Sequence, residues 1–129
     1  MPKRVIKTDR APTSPAYSQA VVAEGLVFVS GQGPLDPATG AIRGESIQEQ
    51  TRQCLTNVQA ILEAAGSSID RVVSATFILA DPVDFAGMNE EWGRWFPAAP
   101  PARQGAKLPV ATPGFKISIA VVATVDESA

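Results

Sequence analysis

The strongest constraint on the fold is the last apolar segment of the chain. From Phe115 to Val125, the residues Phe115, Ile117, Ile119, Val121 and Ala123 alternate with Lys116, Ser118, Ala120, Val122 and Thr124. The two-residue period predicts a strand, because successive side chains of a strand point to opposite faces. The first set is core-like, while the second is small and partly apolar. A strand of this kind belongs in a sheet covered on both sides.

The rest of the chain supplies helices for one side only. Ile47, Thr51, Cys54, Leu55, Val58, Ile61, Leu62 and Ala65 recur at the helical period, with Gln48, Glu49, Arg52, Gln53, Gln59 and Glu63 opposite them. Ser46 is placed to cap this helix, Glu49 stands at capping-box spacing, and Gly66 ends it. A second helix is expected after Asp84 as its cap, with a stripe of Phe85, Met88, Trp92 and Trp95 or Phe96, ending before Pro97. The stripe reads as core or subunit contact. With two helices on one face, the second cover is expected from another subunit.

Breakers divide what remains. Val5 and Ile6 form a short edge strand, and Pro12 and Pro15 hold an extended connection. Ser18 to Glu24 and the run after Gly25 read as a β-hairpin whose second strand stops at Ser30-Gly31-Gln32-Gly33-Pro34. Leu35 to Gly40 is a loop, Arg71 to Ala80 a strand ended by Asp81-Pro82, Arg103 to Leu108 a strand, and Pro109 to Gly114 a turn. The order β-β-β-α-β-α-β-β predicts one α+β domain over residues 1–129, a mixed sheet with both helices on one face.

Composition limits the chemistry. Among 129 residues there is no histidine and one cysteine. Histidine-based triads and zinc sites are excluded, as are an internal disulfide and a CxxC redox pair. Cys54 lies on the apolar helical stripe and reads as a small buried hydrophobe. No acidic cluster has metal-ligand spacing, since Glu90 and Glu91 are adjacent on a helix and diverge. The glycines at 31 and 33 form neither a GxGxxG nor a Walker pattern. Thirteen acids against eleven bases, a net charge of −2, argue against a nucleic-acid partner held by phosphate contacts. The apolar runs Leu26–Val29 and Ile119–Ala123 fall far short of the roughly 20 residues of a membrane span. Lys3, Arg4, Lys7 and Arg10 precede no signal-like apolar run, so a cytoplasmic protein is expected.

Arg103 is the residue with the clearest chemical promise. It opens a strand directly after Pro100-Pro101-Ala102, which fixes its direction, and a guanidinium so held can grip a carboxylate with two parallel hydrogen bonds. The same placement also suits a surface arginine or a structural ion pair. Tyr17 and Ser30 offer hydroxyls.

Several segments, in order, resemble the reactive-intermediate imine deaminase (Rid or YjgF) family: Tyr17-Ser18-Gln19-Ala20-Val21, Val27-Phe28-Val29-Ser30-Gly31-Gln32 and Asp36-Pro37-Ala38-Thr39-Gly40. So do Gln50-Thr51-Arg52-Gln53, Asn57, Ile61 to Gly66, Phe85 with Asn89, and Pro101-Ala102-Arg103. The likeness runs along nearly the whole chain. It implies a chorismate-mutase-like fold, a homotrimer whose sheets form a central barrel, and small-molecule pockets at the subunit interfaces. It further implies that Arg103 binds the substrate carboxylate, that Tyr17, Ser30 and Gly31 line the pocket, and that Asn89 lies near it. The implied reaction is cofactor-independent hydrolysis of 2-imino or 2-enamino acids to 2-keto acids and ammonia.

Two positions depart from the family pattern. Where the family's water-positioning glutamate stands on the last strand, this chain has Ser118, which can hold a water but cannot take its proton at neutral pH. Where the family's usual cysteine stands, it has Gly105, expected to leave extra room for a shifted substrate range such as 2-aminomuconate-like acids. Three functions follow as expectations: a deaminase, a non-catalytic regulator binding small carboxylates or keto acids, and the endoribonuclease or translation inhibitor of the family's older label. The acidic balance disfavours the third.

Overall fold

The computed structural model describes residues 2–108 and 112–126. Six strands form one sheet: β1 (Arg4–Ile6), β2 (Ala20–Ala23), β3 (Leu26–Gln32), β4 (Val72–Leu79), β5 (Ala102–Lys107) and β6 (Ile117–Thr124). Their order across the sheet is β1-β2-β3-β6-β4-β5. All neighbours are antiparallel except β4 and β5, which run parallel. A parallel pair needs a crossover, and helix α2 (Phe85–Trp95) supplies it. Helix α1 (Ile47–Ala64) lies between β3 and β4 in sequence. This is the α+β mixed sheet that the element order predicts.

The local signals explain the elements. Glu24 and Gly25 join β2 to β3 with φ of 54° and 75°, the left-handed pair that a two-residue hairpin turn requires. At the start of α1, the Ser46 hydroxyl accepts from the Glu49 N–H and the Glu49 carboxylate accepts from the Ser46 N–H, a complete capping box. Gly66, at φ 84°, takes the chain out of the helix.

Ile117, Ile119, Val121 and Ala123 of β6 are buried against the helices, with Leu55, Val58, Ile61, Leu62 and Met88. Burial pushes the Cys54 thiol pKa up, and Cys54 sits in this core near the Ile117 carbonyl. Ser118, Ala120, Val122 and Thr124 face the other side and are only half-buried. On that side Val5, Val21, Phe28 and Val122 form one cross-strand row. Val5 is 54% and Phe28 44% exposed, so the chain leaves an apolar row uncovered.

The structure corrects several sequence-based expectations. β3 does not stop at Ser30 but continues to Gln32 through a bulge: Val29 pairs with Val121 and Gln32 with Ile119, so β3 holds one extra residue. β4 starts at Val72, because Arg71 belongs to a 3-10 turn, and the last strand is shorter at both ends than Phe115–Val125. Asp84 makes no side-chain cap; Asp81 caps the 3-10 turn Pro82–Asp84 by accepting from the Val83 N–H at 3.0 Å. Part of the Pro109–Gly114 turn, residues 109–111, lies outside the described residues.

Gln53, expected on the solvent side of α1, is buried, as is Gln50. Helical periodicity assigns polar residues outward, but loops pack over this part of α1 and bring carbonyls that need donors. Gln50 Nε2 donates to the carbonyls of Gly44 and Gly114, and Gln50 Oε1 accepts from the Lys116 N–H at 2.9 Å. Gln53 donates to Asn57 Oδ1, and Asn57 in turn donates to the Leu35 carbonyl at 2.9 Å. Gln50 thereby holds the approach to β6 two residues before Ser118.

Candidate active site

Arg103 stands on β5 opposite Ala75 of β4, on the face that the helices cover. Helix α2 offers it Phe85, Asn89 and Trp92, which share one face at i, i+4 and i+7. Arg103 Nη1 donates to Asn89 Oδ1 at 2.7 Å. The guanidinium carbon lies 5.0 Å from the Phe77 ring centroid, 5.2 Å from that of Trp92 and 5.7 Å from that of Phe85. Three rings and one amide fix the position of the cation. A guanidinium has five N–H donors, and among the described residues this arrangement commits only one of them to a protein side chain, so a forked grip on a carboxylate is available.

Glu91 holds α2 in place. Its carboxylate, 3% exposed, receives hydrogen bonds from Arg52 Nε and Nη2 at 3.1 Å each and from Trp95 Nε1 at 3.1 Å. Burial alone would raise its pKa, but the bonds from Arg52 and Trp95 outweigh burial and leave the carboxyl below its ordinary value. Arg52 of α1 thus anchors the helix that carries Asn89.

The second group of expected residues gathers elsewhere. Gly31 sits in the β3 bulge, and a Cβ there would lie 3.0 Å from Ser118 Oγ. The Ser30 hydroxyl donates to the Ser18 carbonyl at 2.6 Å, tying the segment that carries Tyr17 to β3. Tyr17 is 55% exposed in the loop before β2. Ser118 pairs with Ile78 and projects, with Ala120 and Val122, from the face away from the helices. The structure therefore brings Arg103 to Asn89 and Ser118 to Gly31, and sets the two groups on opposite faces of the sheet.

Gly105 does not leave the expected room. A Cβ at this position would overlap the ring of Phe77, which lies across the glycine from the neighbouring strand. The missing side chain is replaced by an aromatic ring that also backs Arg103. Nothing in the spacing marked Phe77 for this role, because it sits in an ordinary strand pattern. Phe85 and Trp92 read as packing, and Trp92 does both. Among the described residues no group of three His, Cys, Asp or Glu is placed to hold a metal ion, and no helix is long and apolar enough to cross a membrane.

The chain is similar to known proteins along nearly its whole length. Residues 8–125 match the family model described as Endoribonuclease L-PSP. Reactive Intermediate Deaminase A, chloroplastic, from Arabidopsis thaliana is 42% identical over 123 residues, spanning 95% of this chain and 66% of that protein. The 2-iminobutanoate/2-iminopropanoate deaminase of Capra hircus is 36% identical over 122 residues, spanning 94% of this chain and 89% of that protein. The crystal structure of the YjgF gene product from E. coli superposes with a TM-score of 0.87 at 34% identity, covering 94% of this chain and 98% of that one. With the family model spanning nearly the whole chain and these relatives matching its sheet and helices, the protein belongs to the Rid (YjgF, or L-PSP) family.

Proposed function

We propose that this protein hydrolyses 2-imino or 2-enamino acids to 2-keto acids and ammonia, in pockets formed between subunits of a homotrimer. The observation that carries this reading is the Arg103 guanidinium, boxed by three rings and oriented by Asn89, with donors left for a carboxylate. The deaminase names of its relatives agree with it.

The chemistry asks little of the protein. The carbon of a protonated imine is already electrophilic, so water is a sufficient nucleophile. Arg103 binds the carboxylate and turns the imine carbon toward the half-site of a neighbouring chain. There Ser118, beside Gly31, holds the water by a hydrogen bond. Addition of water gives a carbinolamine. Its C–N bond then breaks, releasing ammonia, and the former water oxygen becomes the keto oxygen.

Two features support assembly. Arg103 and Ser118 lie on opposite faces of the sheet, so one pocket containing both takes them from two chains. The uncovered row of Val5, Val21, Phe28 and Val122 supplies apolar surface for that contact. A trimer of three equivalent heterologous contacts closes on itself.

Ser118 favours a second reading, a non-catalytic member that binds small carboxylates, because the side chain facing Gly31 is a hydroxyl and not a carboxylate. Ammonia release from enzymatically generated imino acids separates the two. Acceleration by the wild type that disappears in Arg103→Ala supports the deaminase. Keto-acid binding with no acceleration on any imine supports the regulator.

A further inference from the structure

We propose that the cavity beside Arg103 is a subsite for the substrate's side chain, and that it selects 2-imino acids bearing bulky apolar groups, aromatic ones above all. The proposal rests on the reading of Arg103 as the carboxylate-binding residue.

Arg103, Gly105 and Lys107 follow one another at two-residue intervals on the helix-facing side, so a residue without a side chain stands between two long cations. The Phe77 ring covers Gly105, and beside that ring lies a cavity of about 250 Å³, bounded by Phe77, Leu79, Pro82, Phe85 and the β5 segment from Gly105 to Lys107. Every one of these residues but Lys107 is apolar, and the lysine contributes its alkyl stem as well as its charge. The volume exceeds the roughly 150 Å³ of an engineered apolar cavity that holds benzene.

Its walls suit a ring. The Phe77 and Phe85 rings stand 5.8 Å apart at 38°, a tilted pair to which a third ring adds in the range aromatic side chains prefer. Phe85 remains 43% exposed although it opens a helix, so this wall has free apolar surface. In a benzyl-bearing 2-imino acid, three bonds, about 4 Å, separate the carboxyl carbon from the ring. The same two phenylalanine rings lie 5.0 and 5.7 Å from the Arg103 guanidinium carbon. A carboxylate held by Arg103 therefore delivers a ring attached at that distance to the cavity.

The size of the preference follows from burial. One extra methylene in an apolar pocket is worth about tenfold or more in discrimination, and a phenyl group buries more than that. The test is calorimetric titration of the intact chain with pyruvate, 4-methyl-2-oxopentanoate, phenylpyruvate and 2-oxoadipate. It is paired with hydrolysis rates for the corresponding imino acids. Phenylpyruvate and the branched acid are expected to bind at least tenfold tighter than pyruvate, with kcat/KM for the imines in the same order. Phe85→Ala is expected to cut the phenylpyruvate-to-pyruvate ratio to threefold or less. Equal affinity along the series overturns the subsite while leaving the deaminase reading standing. Tightest binding of 2-oxoadipate, lost in Lys107→Met, overturns it in favour of a two-cation site. If no keto acid binds and no imine is hydrolysed, the carboxylate reading of Arg103 falls, and the subsite with it.

Discussion

Arg103 and Ser118 point to opposite sides of one sheet, although a single strand, β4, lies between the strands that carry them. Arg103 pairs with Ala75 of β4, on the helix side, and Ser118 pairs with Ile78, on the open side. Ala75 and Ile78 are three residues apart on β4, an odd separation, which places the two residues on different surfaces. A side chain does not cross a sheet, so within one chain the two residues do not meet.

That relationship predicts complementation between two inactive variants. Arg103→Ala removes the cation from one half-site, and Gly31→Leu fills the other, where even a Cβ meets Ser118 Oγ at 3.0 Å. Each variant alone is expected to be inactive. Unfolded and refolded together in equal amounts, they are expected to regain about a quarter of wild-type activity, because one pairing of subunits in four combines the intact halves. Continued inactivity of a mixture shown to be trimeric would place the whole site within one chain.

Ser118→Glu places a carboxylate beside Gly31 and is expected to raise kcat on 2-imino acids. General acid–base assistance typically contributes about 10²–10⁴-fold, so a rise of tenfold or more is the expectation. The variant should also acquire a loss of activity toward acid pH centred near the carboxylate range, about pH 4 to 5, which the wild type lacks. Rates measured from pH 4 to 9 for both proteins check this.

Asn89→Ala removes the acceptor that orients Arg103 through a 2.7 Å bond. A hydrogen bond to a charged group contributes about 1.5–3 kcal/mol when buried. Arg103 is exposed in the isolated chain, so a cost of about 1 kcal/mol, roughly a fivefold rise in KM with a smaller change in kcat, is expected. Arg103→Lys should not rescue binding, because an ammonium has no fork.

Glu91 predicts an acid limb in stability. Although burial raises its pKa, the hydrogen bonds from Arg52 and Trp95 leave the folded value below the unfolded one. The ionised carboxylate therefore stabilises the fold above the unfolded carboxylate range, about pH 4 to 5, and this contribution disappears as pH falls through the lowered folded pKa. Arg52→Ala leaves Glu91 buried without its cation. It is expected to cost about 2 kcal/mol at pH 7, less than for a fully buried pair because the Arg52 side chain is 51% exposed. Urea denaturation at pH 7 and pH 3 should show the gap between variant and wild type closing at the lower pH.

What the residues reveal in isolation and what they conceal follow from the range of the forces involved. The capped helix α1, the Glu24–Gly25 hairpin and the two-faced β6 were legible because capping, turn chemistry and strand alternation act over a few neighbouring residues. The place of Arg103 at the start of a strand was legible because Pro100 and Pro101 stand just before it in sequence. The burial of Gln50 and Gln53 was not, since their partners are carbonyls contributed by distant loops.

The sequence by itself determined that any chemistry here works without histidine or a thiol pair, and that the last strand carries Ser118 and no carboxylate. Only the tertiary structure decided that Gly105 leaves no empty space, because its neighbour across the β4–β5 pairing is Phe77, whose ring covers it. It alone decided which residues share a surface. Local periodicity says that alternate residues part company, but the face that each reaches depends on strand pairing and on where two helices settle, and those contacts join residues dozens of positions apart.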